Sequence, residues 1–261
     1  MSWTLITNDD GITAPGLHAL AAAAVAAGQR VVVAAPSAQA SGAGTSITTS
    51  RRNGRVPVER HELPGLDGIP AYGVGAQPAF ISFAAIRGWF PEPPSLVLSG
   101  INEGANLGHA VLHSGTVGAA LTAGRLGVRA LAVSLDCDDT PPDVRPGWEV
   151  AAGLVPEVIR LLEGTPAGTV LTLNVPDRPA DELGETRVAP LATQGRLHTT
   201  VVNHDDGNLG VRLVGPDGTA QPGTDVALLA EGHPTLTALR WVTENPDLPL
   251  ADLLATHPAR R

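Results

Sequence analysis

A short apolar run from Trp3 to Thr7 is followed by an alanine-rich stretch, Gly16 to Ala27, opened by Pro15, and by a second apolar run, Arg30 to Ala35, closed by Pro36. Runs of this length read as buried strands, and proline at a first helical position presets the backbone dihedral without costing a hydrogen bond. The unit is therefore strand, helix, strand. It recurs downstream as strand Ser95 to Ser99, helix Val117 to Leu126, strand Ala130 to Leu135, helix Trp148 to Leu162 and strand Thr169 to Val175. Continuous rather than alternating apolar strands, separated by helices, predict an α/β fold with a doubly wound, mostly parallel, Rossmann-like sheet covered on both faces.

From about Asp181 the pattern changes to scattered Thr and Val, with glycine turns such as Asp205-Asp206-Gly207 and Pro216-Asp217-Gly218 and no clear amphipathic helix. We read residues 1–180 as the core and 181–261 as a C-terminal extension of the same domain built of β-hairpins and arms. Arms of this kind favour contacts between subunits, and a homodimer or homotetramer is expected.

Composition narrows the chemistry. With 43% hydrophobic residues in 261, the chain can bury a large core, and its longest early apolar run falls far short of the roughly 20 residues a bilayer span requires. No membrane role and a cytoplasmic location are expected. The single cysteine, Cys137, rules out an internal disulfide and a multi-cysteine metal cage. Net charge is −9 and all 17 basic residues are arginine, which argues against a nucleic-acid polymer as partner and removes mechanisms that need a lysine.

In an open parallel sheet, ligands bind beyond the carboxyl ends of the strands. The residues following the predicted strands are consistently polar: Asn8-Asp9-Asp10-Gly11, the Ser37 to Gly44 loop, and Gly100-Ile101-Asn102-Glu103-Gly104-Ala105-Asn106. Asp-Asp-Gly alone is a common turn. At a sheet edge, however, two adjacent carboxylates repel and lose hydration, and a hard divalent cation relieves both costs. Ser41 and Asn102 can complete an oxygen shell, for which Mg²⁺, Mn²⁺ or Ca²⁺ suits better than zinc. Ser114-Gly115-Thr116 precedes a helix, where free amides and the helix dipole favour an anion such as phosphate, although an ordinary N-cap reads the same way locally.

Together, Asn8-Asp9-Asp10-Gly11, Ser41-Gly42-Ala43, Ser99-Gly100-Ile101-Asn102 with Asn106-Leu107-Gly108, and Ser114-Gly115-Thr116 resemble the SurE family, with Pro222-Gly223-Thr224-Asp225 and Glu231-Gly232 as later landmarks. The resemblance implies a metal-dependent phosphatase, of the 5'/3'-nucleotidase or acid phosphatase type, with one Mg²⁺ or Mn²⁺ per subunit. It implies Asp9, Asp10, Ser41 and Asn102 as metal ligands and Asn106, Ser114, Gly115 and Thr116 as the phosphate pocket. Asp9, Asp10 and Asn106 would act in catalysis on a nucleoside monophosphate, by direct attack of an activated water. A covalent aspartyl-phosphate route is disfavoured because Asn8 stands where such enzymes carry the nucleophile.

The chain departs from the family at Gly75-Ala76-Gln77-Pro78, where Gly-Thr-Pro is usual, and at His109, Ala110 and His113, before the Ser-Gly-Thr turn. Either histidine could protonate a leaving alcohol, although a solvated histidine is the commoner case. Three alternatives follow: a phosphatase specialised for another metabolite, a catalytically silent nucleotide-binding protein, and a metal-dependent nucleoside hydrolase.

Overall fold

The computed structural model describes residues 2–137, 144, 146–193, 198–203, 209–214 and 220–256. The expected doubly wound α/β architecture is observed. In chain order the elements are β1 (Thr4–Thr7), α1 (Pro15–Ala26), β2 (Val31–Pro36), β3 (Val58–His61), β4 (Ala71–Val74), α2 (Pro78–Ala84), β5 (Leu96–Glu103), α3 (Gly115–Arg125), β6 (Arg129–Asp136), α4 (Trp148–Glu163) and β7 (Val170–Pro176). After these come β8 (Arg187–Val188), β9 (His198–Asn203), β10 (Leu209–Val214), α5 (Asp225–Ala230), β11 (Thr235–Leu239) and α6 (Leu250–Thr256).

Nine strands form one sheet in the order β3-β4-β2-β1-β5-β6-β7-β11-β8. The neighbours from β4 through β7 pair in parallel, while β3 joins β4 and β11 joins β7 antiparallel. The chain builds from β1 toward β4 on one side and from β5 toward β7 on the other. The order therefore reverses between β1 and β5, the place where such sheets open a crevice.

Both faces of the sheet are dry because successive strand residues point to opposite sides. Ile6, Val33, Leu98 and Val133 pack with Leu17, Leu20, Val155 and Ile159 of α1 and α4. Their neighbours Leu5, Val97 and Ala132 pack instead with Ile81, Val117 and Ala120 of α2 and α3. Gly16 lets α1 lie against β5, since a Cβ there would stand 2.1 Å from the carbonyl oxygen of Ile101. Nothing but glycine fits that approach.

Strand β5 extends beyond the sequence reading, through Asn102 and Glu103, after a register shift between Ser99 and Asn102. Gly100 makes the shift possible at φ +131, where a side chain would also meet the Val133 carbonyl. The Gly100–Ile101 peptide is cis. Ile101 stays wholly buried while Asn102 emerges at the sheet edge.

In the C-terminal third, β9 and β10 form an antiparallel hairpin. The two Asp-Gly turns noted in the sequence lie outside the described residues. The helix α5 and the strand β11, neither read from the sequence, pack back onto the core, β11 as a neighbour of β7. Among the described residues, no helix is long and apolar enough to cross a membrane.

Candidate active site

The carboxyl ends of β1 and β5 and the N-terminus of α3 enclose an open cleft of about 530 Å³. Asp9, Asp10, Ser41, Asn102, Asn106 and Ser114 all line it, so six of the residues singled out in the sequence meet in one place. Gly115 and Thr116 are buried behind it. Glu103, Gln39 and His113 line it as well. His109 is not among the lining residues; its ring belongs to an exposed residue of the 3-10 turn Gly108–His113.

The turn after β1 is built by its first residue. Asn8, fully buried, donates from Nδ2 to the Gly11 carbonyl at 3.1 Å and accepts the Gly11 amide on Oδ1 at 3.1 Å. This closed loop, with Gly11 at φ +105, fixes the backbone that carries both aspartates. The Asp9 carbonyl then accepts the Ala40 amide at 2.7 Å, while the Gly44 amide donates to the His113 carbonyl at 3.2 Å. The loop bearing Ser41 is pinned on both sides of that residue.

Asp9 is 4% exposed. The Thr116 hydroxyl donates to its Oδ1 and lies 3.2 Å from Oδ1 of Asn102. Burial raises the Asp9 pKa above its ordinary value, with the Thr116 hydroxyl and the backbone amides at Thr116 and Gly115 opposing the rise. The helix-terminal amides thus act on a protein carboxylate in this structure. Gly115 permits the contact: a Cβ there would stand 2.7 Å from Oδ2 of Asp9.

Asp10 is pushed up to about 6, first by burial and then by the charge of Asp9, with a smaller push from Glu103. The Glu103 amide donates to Oδ2 of Asp10 at 3.3 Å and works in the opposite direction. Among the described residues lining the cleft are three carboxylates and no arginine. A strongly negative, partly dry cleft is costly unless a cation enters it.

The two asparagines are aimed rather than loose. Asn102 spends Nδ2 on the carbonyls of Glu103 at 3.1 Å and Gly104 at 2.7 Å, which turns Oδ1 toward Thr116. Asn106 is clamped through its backbone by Asn174, which accepts its amide at 2.8 Å and donates to its carbonyl at 3.0 Å. Its own Nδ2 donates to Ser134 at 2.8 Å. Sequence reasoning missed Asn174 and Ser134, which lie two residues before the ends of β7 and β6. Their positions at the carboxyl ends of two buried strands were the available signal.

Asp225 is a further buried anchor, at 1% exposure. Its carboxylate accepts the amides of Gly108 at 2.7 Å and Ala192 at 2.8 Å, tying the turn that carries His113 to the start of α5. The landmark Asp225 of the C-terminal third therefore has a local structural task. Ser114 also has one, because its hydroxyl accepts the Val117 amide at 3.1 Å as the N-cap of α3. Among the described residues, no three His, Cys, Asp or Glu side chains converge as a ready metal cluster. A cation here would rely on neutral oxygens beside the two aspartates. The inward-turned Oδ1 of Asn102 and the Ser41 hydroxyl are of that kind, and the set suits a hard divalent ion.

Fold and site together define an α/β protein whose acid-lined, amide-edged cleft sits at the switch point of a parallel sheet. The family model for "Survival protein SurE" matches residues 4–198, and the chain belongs to that family. A "5'-nucleotidase SurE" of Nitratidesulfovibrio vulgaris is 38% identical over 240 residues, covering 90% of this chain and 92% of the relative. One from Symbiobacterium thermophilum is 44% identical over 189 residues, or 72% of this chain and 71% of the other. The crystal structure of the SurE protein from Aquifex aeolicus superposes with a TM-score of 0.79 at 25% identity, covering 97% of this chain and 99% of that one.

Proposed function

We propose that this protein is a divalent-cation-dependent phosphomonoesterase that hydrolyses nucleoside 5'- or 3'-monophosphates. The observation that carries the reading is a cleft holding three carboxylates and no arginine among its described lining residues, on a chain 33 to 44% identical to proteins named 5'-nucleotidase. A dianionic phosphate cannot enter such a cleft against that charge without a cation between them.

Asp9, Asp10, Ser41 and Asn102 would hold the ion, Mg²⁺ or Mn²⁺, through oxygen donors. When bound, it would lower the pKa of the attacking water and neutralise charge on the transferring phosphoryl group. The chain's own residues supply position. Asp9 or Asp10 orients the water by accepting its hydrogen bond, and Asn106 and Ser114 provide donors to the phosphate. The α3 N-terminus, with Gly115 and Thr116, lends the positive end of its dipole. The exposed side chains of Leu250, Leu253 and Leu254 on α6 support the further proposal of a homo-oligomer, for which light scattering gives the test.

The experiment is phosphate release from nucleoside 5'- and 3'-monophosphates and an aryl phosphate, with and without Mn²⁺ or Mg²⁺, beside Asp9→Asn. Cation-dependent release that disappears in the variant supports the reading. Release of free base instead would point to a nucleoside hydrolase, and no release from any compound would point to a silent binding protein.

A further inference from the structure

Of the three carboxylates that line the acid cleft, Asp9 and Asp10 are given to a cation, and Glu103 is left without a task. Glu103 is the last residue of β5, paired with Leu135 of β6. Its main chain is held from two sides: the amide donates to Oδ2 of Asp10 at 3.3 Å, and the carbonyl accepts Nδ2 of Asn102 at 3.1 Å. The next amide, of Gly104, donates to the Leu135 carbonyl at 2.9 Å. The side chain therefore stands on a fixed stem.

The three carboxylates are graded by depth. Asp9 is buried, Asp10 is half-buried and Glu103 is exposed, which places Glu103 at the rim. Its charge still reaches inward, since it adds to the raised pKa of Asp10. Among the described residues nothing neutralises it. No arginine lines the cleft, and His113, the lining side chain able to carry positive charge, makes no ion pair with it. A divalent ion on Asp9 and Asp10 balances their two charges, and the charge of Glu103 remains as a surplus.

We propose that Glu103 is a specificity residue that sorts phosphomonoesters by the charge of their leaving part, refusing a second anionic group there and favouring a neutral or cationic one. The proposal rests on the phosphomonoesterase reading, which puts the phosphate at the floor and leads the leaving part out past the rim. A like charge brought beside an unpaired carboxylate costs free energy that no lining arginine returns, whereas an ammonium group gains it. Bisphosphates and phosphorylated carboxylic acids fall in the refused class, and phosphate esters of amino alcohols in the favoured one. Because Glu103 is exposed, salt must weaken the sorting, which it would not do to a filter built on shape.

The test uses three aryl phosphates of similar size: 4-methylphenyl, 4-carboxyphenyl and 4-(aminomethyl)phenyl phosphate. For wild type and Glu103→Gln, kcat/KM is measured at about 0.01 M and about 1 M salt, which shortens the screening length from roughly 30 Å to roughly 3 Å. The variant keeps the main-chain bond to Asp10 and removes the charge. Differences in leaving-group acidity are common to both proteins and cancel between them. Binding of the matching benzylphosphonates, which have no ester bond to break, is measured by calorimetry with Mn²⁺ present.

The expected result is that the cationic-to-anionic ratio of kcat/KM falls about tenfold in Glu103→Gln at low salt, and that the wild-type ratio falls toward the variant's value at high salt. A ratio the variant leaves unchanged overturns the proposal. So does one that the variant shifts and salt does not. A wild type that hydrolyses none of the three esters sinks the phosphomonoesterase reading instead, and the phosphonates then decide. A cationic-to-anionic affinity ratio that falls in Glu103→Gln supports the charge filter, while an unchanged ratio, or binding of none of them, removes it.

Discussion

The two ends of the same parallel strands carry two crevices of similar size and opposite character. At the amino ends, Trp3, Val25, Ile69, Pro70 and Phe90 line a cavity of about 660 Å³ that is mainly apolar. At the carboxyl ends, the cleft of about 530 Å³ is lined by carboxylates, amides and hydroxyls. The strands change character along their length: Val31, Leu96 and Val170 begin them, whereas Asn8 and Asp9 stand buried just after the end of β1 and Ser134 and Asn174 two residues before the ends of β6 and β7. Size therefore does not identify the site. Buried polar groups are expensive and are held only where an arrangement compensates them, and here they gather at one edge.

Removing charge from the carboxyl edge should have the largest effect. Asp9→Asn is expected to lower kcat/KM for phosphate release by roughly 10³-fold, the loss of several kcal/mol of transition-state charge stabilisation, with circular dichroism unchanged. Residual release within tenfold of wild type would dissolve the distinction between the two edges. Gly115→Ala puts a methyl 2.7 Å from Oδ2 of Asp9 and must displace it. A misplacement of that kind should cost about 10²-fold in kcat/KM, measured in the same assay. Asn174→Ala frees the backbone of Asn106 and should cost about tenfold, as loss of a supporting shell does elsewhere.

The pH dependence sharpens the contrast through stability. The folded protein holds the Asp10 proton up to about 6, above its ordinary value of 3.8, so the carboxyl favours folding below pH 4 and that contribution is lost as pH rises through 6. Asp10→Asn stays neutral throughout. In the absence of divalent cations, its melting temperature should match wild type at pH 4 and exceed it by roughly a few degrees at pH 7, by scanning calorimetry. Added Mn²⁺ should stabilise wild type and not the variant at pH 7. At the opposite edge, Trp3→Leu breaks a ring contact with Phe90 at 4.9 Å and a hydrogen bond to the Glu92 carbonyl. It should destabilise by roughly 2–4 kcal/mol in urea while leaving kcat/KM within about twofold.

Much of this edge was legible in the sequence because its residues follow apolar runs at short range. Asp9, Asp10, Ser41, Asn102 and Asn106 were found that way, Ser114 from its place just before a helix, and α1 from its alanine-rich run opened by Pro15. What escaped was short or distant. Strand β4 has four residues including a glycine, too few to show a period, and α2 has seven. The clamp of Asn174 on Asn106 joins residues 68 positions apart, a relation that only the register of β6 and β7 creates. The helix-terminal amides read as a phosphate seat also act on Asp9, because Gly115 allows the carboxylate so close. Of the two histidines, the turn Gly108–His113 brings only His113 to the cleft.

The most direct test of the central claim is a crystal structure grown with Mn²⁺ and orthovanadate, with anomalous data collected at the manganese edge. The account predicts a manganese peak touching Asp9, Asp10 and Oδ1 of Asn102, with vanadate against Asn106 and Ser114. Manganese bound elsewhere with this cleft empty, or vanadate in the crevice beside Trp3 and Phe90, would contradict it.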